Sequence, residues 1–204
     1  MGLTLNTGSL NVASASGGAS GGGVSTSDVT TLIKNNTPYQ FLTKVPITAS
    51  VSTIDCSNVF SASDGFSTYH ILFDRVTTVQ NESYIHMRLE IGGSFVTSEY
   101  GWSIARGASN NNQTYEYNDN RWKIINTDIS LGFTGYINVS QTDSGLPTIS
   151  SWNIGSGHST RRGSYSVGGG AINNTNECTG FRIFTSSNDF TAGGNIRIYG
   201  VNNV

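Results

Sequence analysis

The stretch SYIHMRLEIGG, residues 83–93, constrains this chain more than any other part of it. Ile85, Met87, Leu89 and Ile91 alternate with Tyr84, His86, Arg88 and Glu90, and two glycines follow. A period of two puts one set of side chains on a core and the other on the opposite face of a sheet, and the glycines supply a turn. The pattern recurs in TYHILFDRV (68–76), whose two faces are both partly apolar, as in a central strand, and in DISLGFTGYINVS (128–140) and TGFRIFTSS (179–187). QFLTKVPITAS with VSTIDCSNV supplies the first strand signal, and NIRIYGV (195–201) closes the series. Helical periodicity is absent after residue 38. Gly is 25 of 204 residues, against a usual share of about 7%. Short alternating strands broken by Gly, Asn and Ser turns predict an all-β fold, a two-sheet antiparallel sandwich of jelly-roll type.

The chain divides into three parts. Residues 1–23 hold a possible short strand at Leu3 and Leu5 and then run into ASASGGASGGG, which by composition is a flexible arm. Such a segment buries too little apolar surface to offset its ordering entropy, so it is expected to be held by partner subunits. Residues 24–38 predict one short helix: Ser27 caps it, Asp28 suits its N-terminal end, and Pro38 closes it. Val29, Leu32 and Ile33 make a single apolar stripe. A helix this short needs something to pack on, either its own sandwich or copies of itself around a symmetry axis. Residues 39–204 form the β-sandwich head.

Charge excludes several function classes. Charged residues are 12% of the chain and the formal net charge is −2, so no electrostatic footprint for nucleic acid or an anionic membrane is present. No apolar run approaches the length of a membrane span, and the first residues lack the basic and apolar regions of a signal peptide. The expectation is a soluble, unexported product without membrane insertion. Met1-Gly2 is not followed by the Ser or Thr of an acylation signal, because Asn6 stands there. Cys56 and Cys178 are too few for a disulfide framework or a zinc cluster and are expected as free thiols. Asn-x-Ser/Thr triplets at Asn35, Asn81, Asn112, Asn138 and Asn173 carry no weight without an export signal.

Catalytic patterns are weak. GASGG at 18–22 fits a nucleophile pattern at Ser20 but lies in a low-complexity arm rather than between a strand and a helix. His70, His86 and His158 make no spaced metal set, and His70 and His86 read as hydrogen-bonded structural imidazoles on strands. Glu82, Glu90, Glu99, Glu116 and Asp119 show no pattern of a paired-carboxylate glycosidase. The expectation is a non-enzyme with no cofactor and no metal. Two loops carry binding chemistry instead. RGASNNNQTYEYNDNRW (106–122) is rich in Asn and places Tyr115, Tyr117 and Trp122 together. Rigid amphipathic rings and adaptable amides are what binding surfaces use, and sugar rings suit both; the alternative is that the aromatics pack back on the sandwich. GSGHSTRRGSYSVGGG (155–170) offers Arg161 and Arg162 as a lesser candidate, either an anion site or a solvated turn.

Several of these segments also resemble a family of structural proteins from the virions of tailed phages. YHILFDRV, MRLEIGGSF, EYGWS, GYINVS, RRGSYS and the closing CTGFRIFTSSNDFTAGGNIRIYGV are similar to that family's successive strands, over roughly residues 39–201. The chain departs in SSNDFTAGGN, which is longer than the family's compact turn. The resemblance implies a location in the virion, assembly as a homotrimer, and a role in a tail or tail fibre that contacts the host surface, with a surface glycan as candidate ligand. Residues 1–38 would then dock the head onto itself and other virion subunits through Leu3, Leu5, Val29, Leu32 and Ile33. A capsid decoration or cement protein is the alternative, and a glycan depolymerase a further one.

Overall fold

A computed structural model describes residues 37–79, 84–107, 113–125, 132–140, 142–157, 164–186 and 188–202. Among them are thirteen strands and one 3-10 turn, Ala62–Asp64. The strands are β1 (Tyr39–Pro46), β2 (Thr53–Cys56), β3 (Thr68–Val76), β4 (Ile85–Ile91), β5 (Ser94–Phe95), β6 (Tyr100–Gly107) and β7 (Gln113–Asp119). There follow β8 (Trp122–Ile125), β9 (Phe133–Ser140), β10 (Ile149–Ser156), β11 (Ser164–Ile172), β12 (Cys178–Thr185) and β13 (Asn195–Val201). They make two antiparallel sheets packed as a sandwich. The larger has eight strands in the order β1-β13-β3-β9-β10-β11-β6-β7. The smaller has the order β2-β12-β4-β5, and β8 shares with β5 the edge of β4 that faces away from β12.

The all-β sandwich expectation holds, and its reason is visible strand by strand. On β3, Tyr69, Ile71 and Phe73 are buried, while on β13 Ile196 and Ile198 are, and their intervening neighbours are partly exposed. The closing strand lies between β1 and β3, with Tyr199 opposite both Phe41 and His70. β4 is buried on nearly its whole length, which is why its polar set, His86 and Glu90, is also withdrawn from solvent. Each apolar side chain so removed contributes on the order of 1.5–3 kcal/mol. Tyr100 ties the layers together: from β6 its hydroxyl accepts the Leu89 backbone N–H at 2.8 Å and donates to the Val96 carbonyl at 3.2 Å.

Three segments differ from expectation. Residues 39–59 do not form one strand unit; β1 joins the larger sheet and β2 the smaller. Residues 113–119 are an edge strand rather than a loop, with almost every side chain exposed and so no apolar alternation to announce it. The glycine-rich run near 164–172 is also a strand, β11, internal to the larger sheet. Its glycines have a packing cause. A β-carbon on Gly168 would meet the Trp152 ring at 2.6 Å, and one on Gly170 would meet Trp122 Nε1 at 2.5 Å. The arm, residues 24–36 of the expected 24–38 helix and their Leu3, Leu5, Val29, Leu32 and Ile33 lie outside the described residues, as do Ser20, His158, Arg161 and Arg162.

Candidate functional site

The strongest site lies where β11, β6 and β7 run side by side at one edge of the larger sheet. Ser103 on β6 is opposite Gly169 on one side and Tyr115 on the other, and Gly101 is opposite Ala171. These residues, Gly101, Ser103, Gly169 and Ala171, form a floor of backbone and very small side chains. The pairing register of β6 with β7 then slips: Trp102 is opposite Glu116, but Tyr100 is opposite Asp119. Tyr117 and Asn118 therefore both face Gly101, a bulge that Asn118 accommodates with a left-handed backbone, φ 62°. The bulge raises an aromatic wall beside the floor. Tyr115 is 63% and Tyr117 81% exposed, with ring centroids 5.7 Å apart and planes tilted by 57°.

Glu99, Asn118, Pro147 and Asn173 complete the rim of an open cleft of about 780 Å³. Trp102, buried beneath it, is fixed by its indole N–H, which donates to Asp119 Oδ2 at 2.8 Å. The other Asp119 oxygen accepts the Asn120 N–H at 2.6 Å, so this carboxylate is spent on holding the bulge. Two exposed aromatic faces next to a floor of backbone and very small side chains can take a flat, half-apolar ring, and the rim amides and the Glu99 carboxylate can bind its hydroxyls. Among the described residues no group of three or more His, Cys, Asp or Glu is placed to hold a metal.

Tyr115 and Tyr117 are thus brought together, and Trp122 is not with them. Its ring is 0% exposed, edge-on to Tyr100 at 5.5 Å, and its N–H donates to the Ala171 carbonyl at 3.4 Å. The expectation that Trp122 faces a ligand is corrected: it starts β8, whose first side chain points between the sheets. Gly101, Ser103, Gly169 and Trp102 were not singled out as site residues. The readable signal for them was the glycine inside strands, which marks close approach or a missing wall. His70 is a hydrogen-bonded imidazole as expected, its Nδ1 2.7 Å from Asn138 Oδ1. His86 departs from that expectation, since neither ring nitrogen has a partner although the residue is buried.

A second group of rings lies on the same outer face at the other end of the sheet. Tyr39, Phe41, His70, Tyr136 and Tyr199 are linked by centroid distances of 5.0–6.5 Å, and Tyr39, Phe41 and Tyr136 are exposed. Cys56 and Cys178 are free and buried, and burial pushes each thiol up to about 12. No known protein family, curated protein or solved structure matches the chain.

Proposed function

We propose that this chain is a non-enzymatic structural protein of a phage virion, mounted in a tail or tail fibre. Its sandwich head contacts the host surface by taking a glycan into the Tyr115–Tyr117 cleft. Residues 1–38 assemble it as a homotrimer and dock it on other virion subunits. The sequence resemblance across residues 39–201 supports the virion location. The observation that carries the binding role is the pair of exposed, mutually tilted tyrosine rings beside a floor of Gly101 and Gly169. Exposed aromatic area of this kind is unfavourable in water unless a partner covers it.

The test is to titrate the full chain with purified host envelope polysaccharide and to follow both binding and polymer length. Saturable binding with intact polymer supports the reading. Shortened chains would overturn the non-enzymatic part, and absence of binding would overturn the cleft's role. The alternative, a capsid decoration protein, is favoured by the ring cluster around Tyr199, whose exposed apolar area beside β1 suits a contact with another subunit. Labelled chain recovered on tail-less capsids would select that alternative.

A further inference from the structure

Pairing register strings one residue from each strand of the larger sheet into a single row that crosses it from edge to edge. Phe41 on β1 is opposite Tyr199, Tyr199 is opposite His70, and His70 is opposite Asn138. Asn138 is opposite Ser151, Ser151 opposite Gly169, Gly169 opposite Ser103, and Ser103 opposite Tyr115 on β7. All share the outer face, because directly paired residues lie on one side of a sheet and the chain neighbours Ile198, Ile71 and Trp152 are buried toward the core. With strands about 4.8 Å apart, the row is about 34 Å long. The cleft and the ring cluster around Tyr199 are therefore the two ends of one line.

The ends of the row are aromatic and its middle is low and polar. On the β1 side Phe41 meets Tyr199 edge to face at 5.6 Å, and Tyr39 lies 5.2 Å from His70, which Asn138 Oδ1 holds at 2.7 Å. Between this cluster and the tyrosine pair, Asn138, Ser151, Gly169 and Ser103 carry an amide, a hydroxyl or no side chain, so nothing tall interrupts the line. The rows on either side, from Leu72 to Ala105 and from Thr68 to Gly101, contain no Asp, Glu, Lys or Arg, and neither does this one. About a quarter or more of a soluble surface is ordinarily charged, so a face of this extent without charge is exceptional. Arg197 borders it on β13 and is already paired with Asp74 at 2.9 Å. An ionic partner finds no counter-charge along the row, whereas an uncharged one with apolar ring faces and hydroxyl rims matches both its ends and its middle.

We infer that this row is a track for a linear, uncharged polysaccharide whose backbone lies across the strands. Tyr115 and Tyr117 clasp one sugar, and Phe41 and Tyr199 clasp another several sugars along. The inference rests on the cleft's binding role and specifies its ligand: an internal stretch of a long chain rather than a single terminal sugar, because the row reaches an edge strand at both ends. The hydroxyls of Ser151 and Ser103 lie under the connecting sugars, whose own hydroxyls they can bind. Two aromatic subsites fixed on one sheet reinforce each other, since the second contact forms at high effective concentration once the first is made.

The experiment titrates the full chain by calorimetry with fragments of purified host envelope polysaccharide, sorted by charge and into lengths of two, four, six and eight sugars. Affinity for uncharged fragments is expected to rise by about tenfold or more from two sugars to six. Phe41→Ala is expected to weaken the eight-sugar fragment roughly tenfold and to leave the two-sugar fragment unchanged, whereas Tyr117→Ala weakens both. Ser151→Lys, at an exposed position that accepts a long side chain, should likewise weaken only the long fragments. Equal affinity at every length, or parental affinity of Phe41→Ala for the eight-sugar fragment, overturns the track and leaves the cleft standing. Binding of no fragment overturns the cleft and the track with it. Tight binding confined to charged fragments overturns the uncharged ligand. Sedimentation of the unliganded Phe41→Ala chain is the last arm: parental mass agrees with the track, and a loss of mass would assign this face to a second copy of the chain and overturn it.

Discussion

Gly170 lies against the Trp122 indole so closely that a β-carbon there would stand 2.5 Å from Nε1 and 2.7 Å from the Gly101 carbonyl. Trp122 is enclosed, and backbone cannot give way cheaply. Gly170→Ala is therefore expected to destabilise the fold by about 1–3 kcal/mol, as overpacked cores do. Gly101→Ala is the matched control, because its nearest neighbour would be the Ala171 carbonyl at 4.0 Å, an ordinary contact. Urea unfolding of the two variants checks this; equal stabilities would show that Trp122 does not depend on the missing side chain.

The same Gly101 separates folding from binding. Its substitution leaves the core alone yet puts a methyl group into the cleft floor, opposite Tyr117 and Asn118. Gly101→Ala and Tyr117→Ala are both expected to keep the parent's circular dichroism and to weaken glycan binding by about tenfold. Tyr117→Phe keeps the ring and should lose less. Calorimetry against the polysaccharide that the parent binds measures all three, and parental affinity in Tyr117→Ala would remove the ring from the site.

Cys56 and Cys178 are expected to be inert to a disulfide reagent near pH 8 in the folded chain and to react at once in denaturant. The thiols are raised from about 9 to about 12 chiefly by burial, so the nucleophilic thiolate is scarce in the native state. Since the folded pKa lies above the unfolded one, their contribution to stability is whole below pH 9. It is lost as pH climbs from about 9 toward about 12. Alkaline unfolding curves of the double Cys→Ala variant should be flatter over that window than those of the parent.

His86 works at the other end of the scale. Its folded pKa, about 3, lies below the ordinary 6.5, so the neutral imidazole favours the fold above pH 6.5. As pH falls below that value the unfolded chain binds a proton that the native chain refuses. The resulting loss is at most about 1.4 kcal/mol per pH unit, and it ends near pH 3. His86→Phe, with a ring of similar size and no titration, should show a smaller loss of stability between pH 6.5 and pH 4 in chloride medium. A parallel loss in both proteins would place the acid sensitivity elsewhere.

The sandwich was legible because burial is periodic along β3 and β13 and apolar residues alternate in the sequence of β4, and alternation survives wherever one face meets the core. β7 and β11 were not legible as strands, for opposite reasons. β7 is an edge with hardly any buried side chain, so nothing on it alternates. β11 alternates in space, but its inward positions Gly168 and Gly170 are empty because two indoles occupy the volume. A sequence shows the residue that fills a hole and hides the one that makes room. The candidate cleft was half visible on the same principle: Tyr115 and Tyr117 stand out in a run of amides, whereas their floor is built from residues with almost no side chain. Trp122 misled because five residues after Tyr117 the chain has already turned inward to start β8, a change of layer that spacing alone does not record.

Both outer strands of the larger sheet are irregular. β1 shifts register against β13 between Phe41 and Thr43 and ends on Pro46, and β7 carries its bulge opposite Gly101. Such interruptions twist a free margin and break the run of amide groups that a foreign segment would need to copy. Crowded together at high concentration, neighbouring molecules therefore lack a straight template along β1 or β7 to pair with, and these two strands resist growth into fibrils.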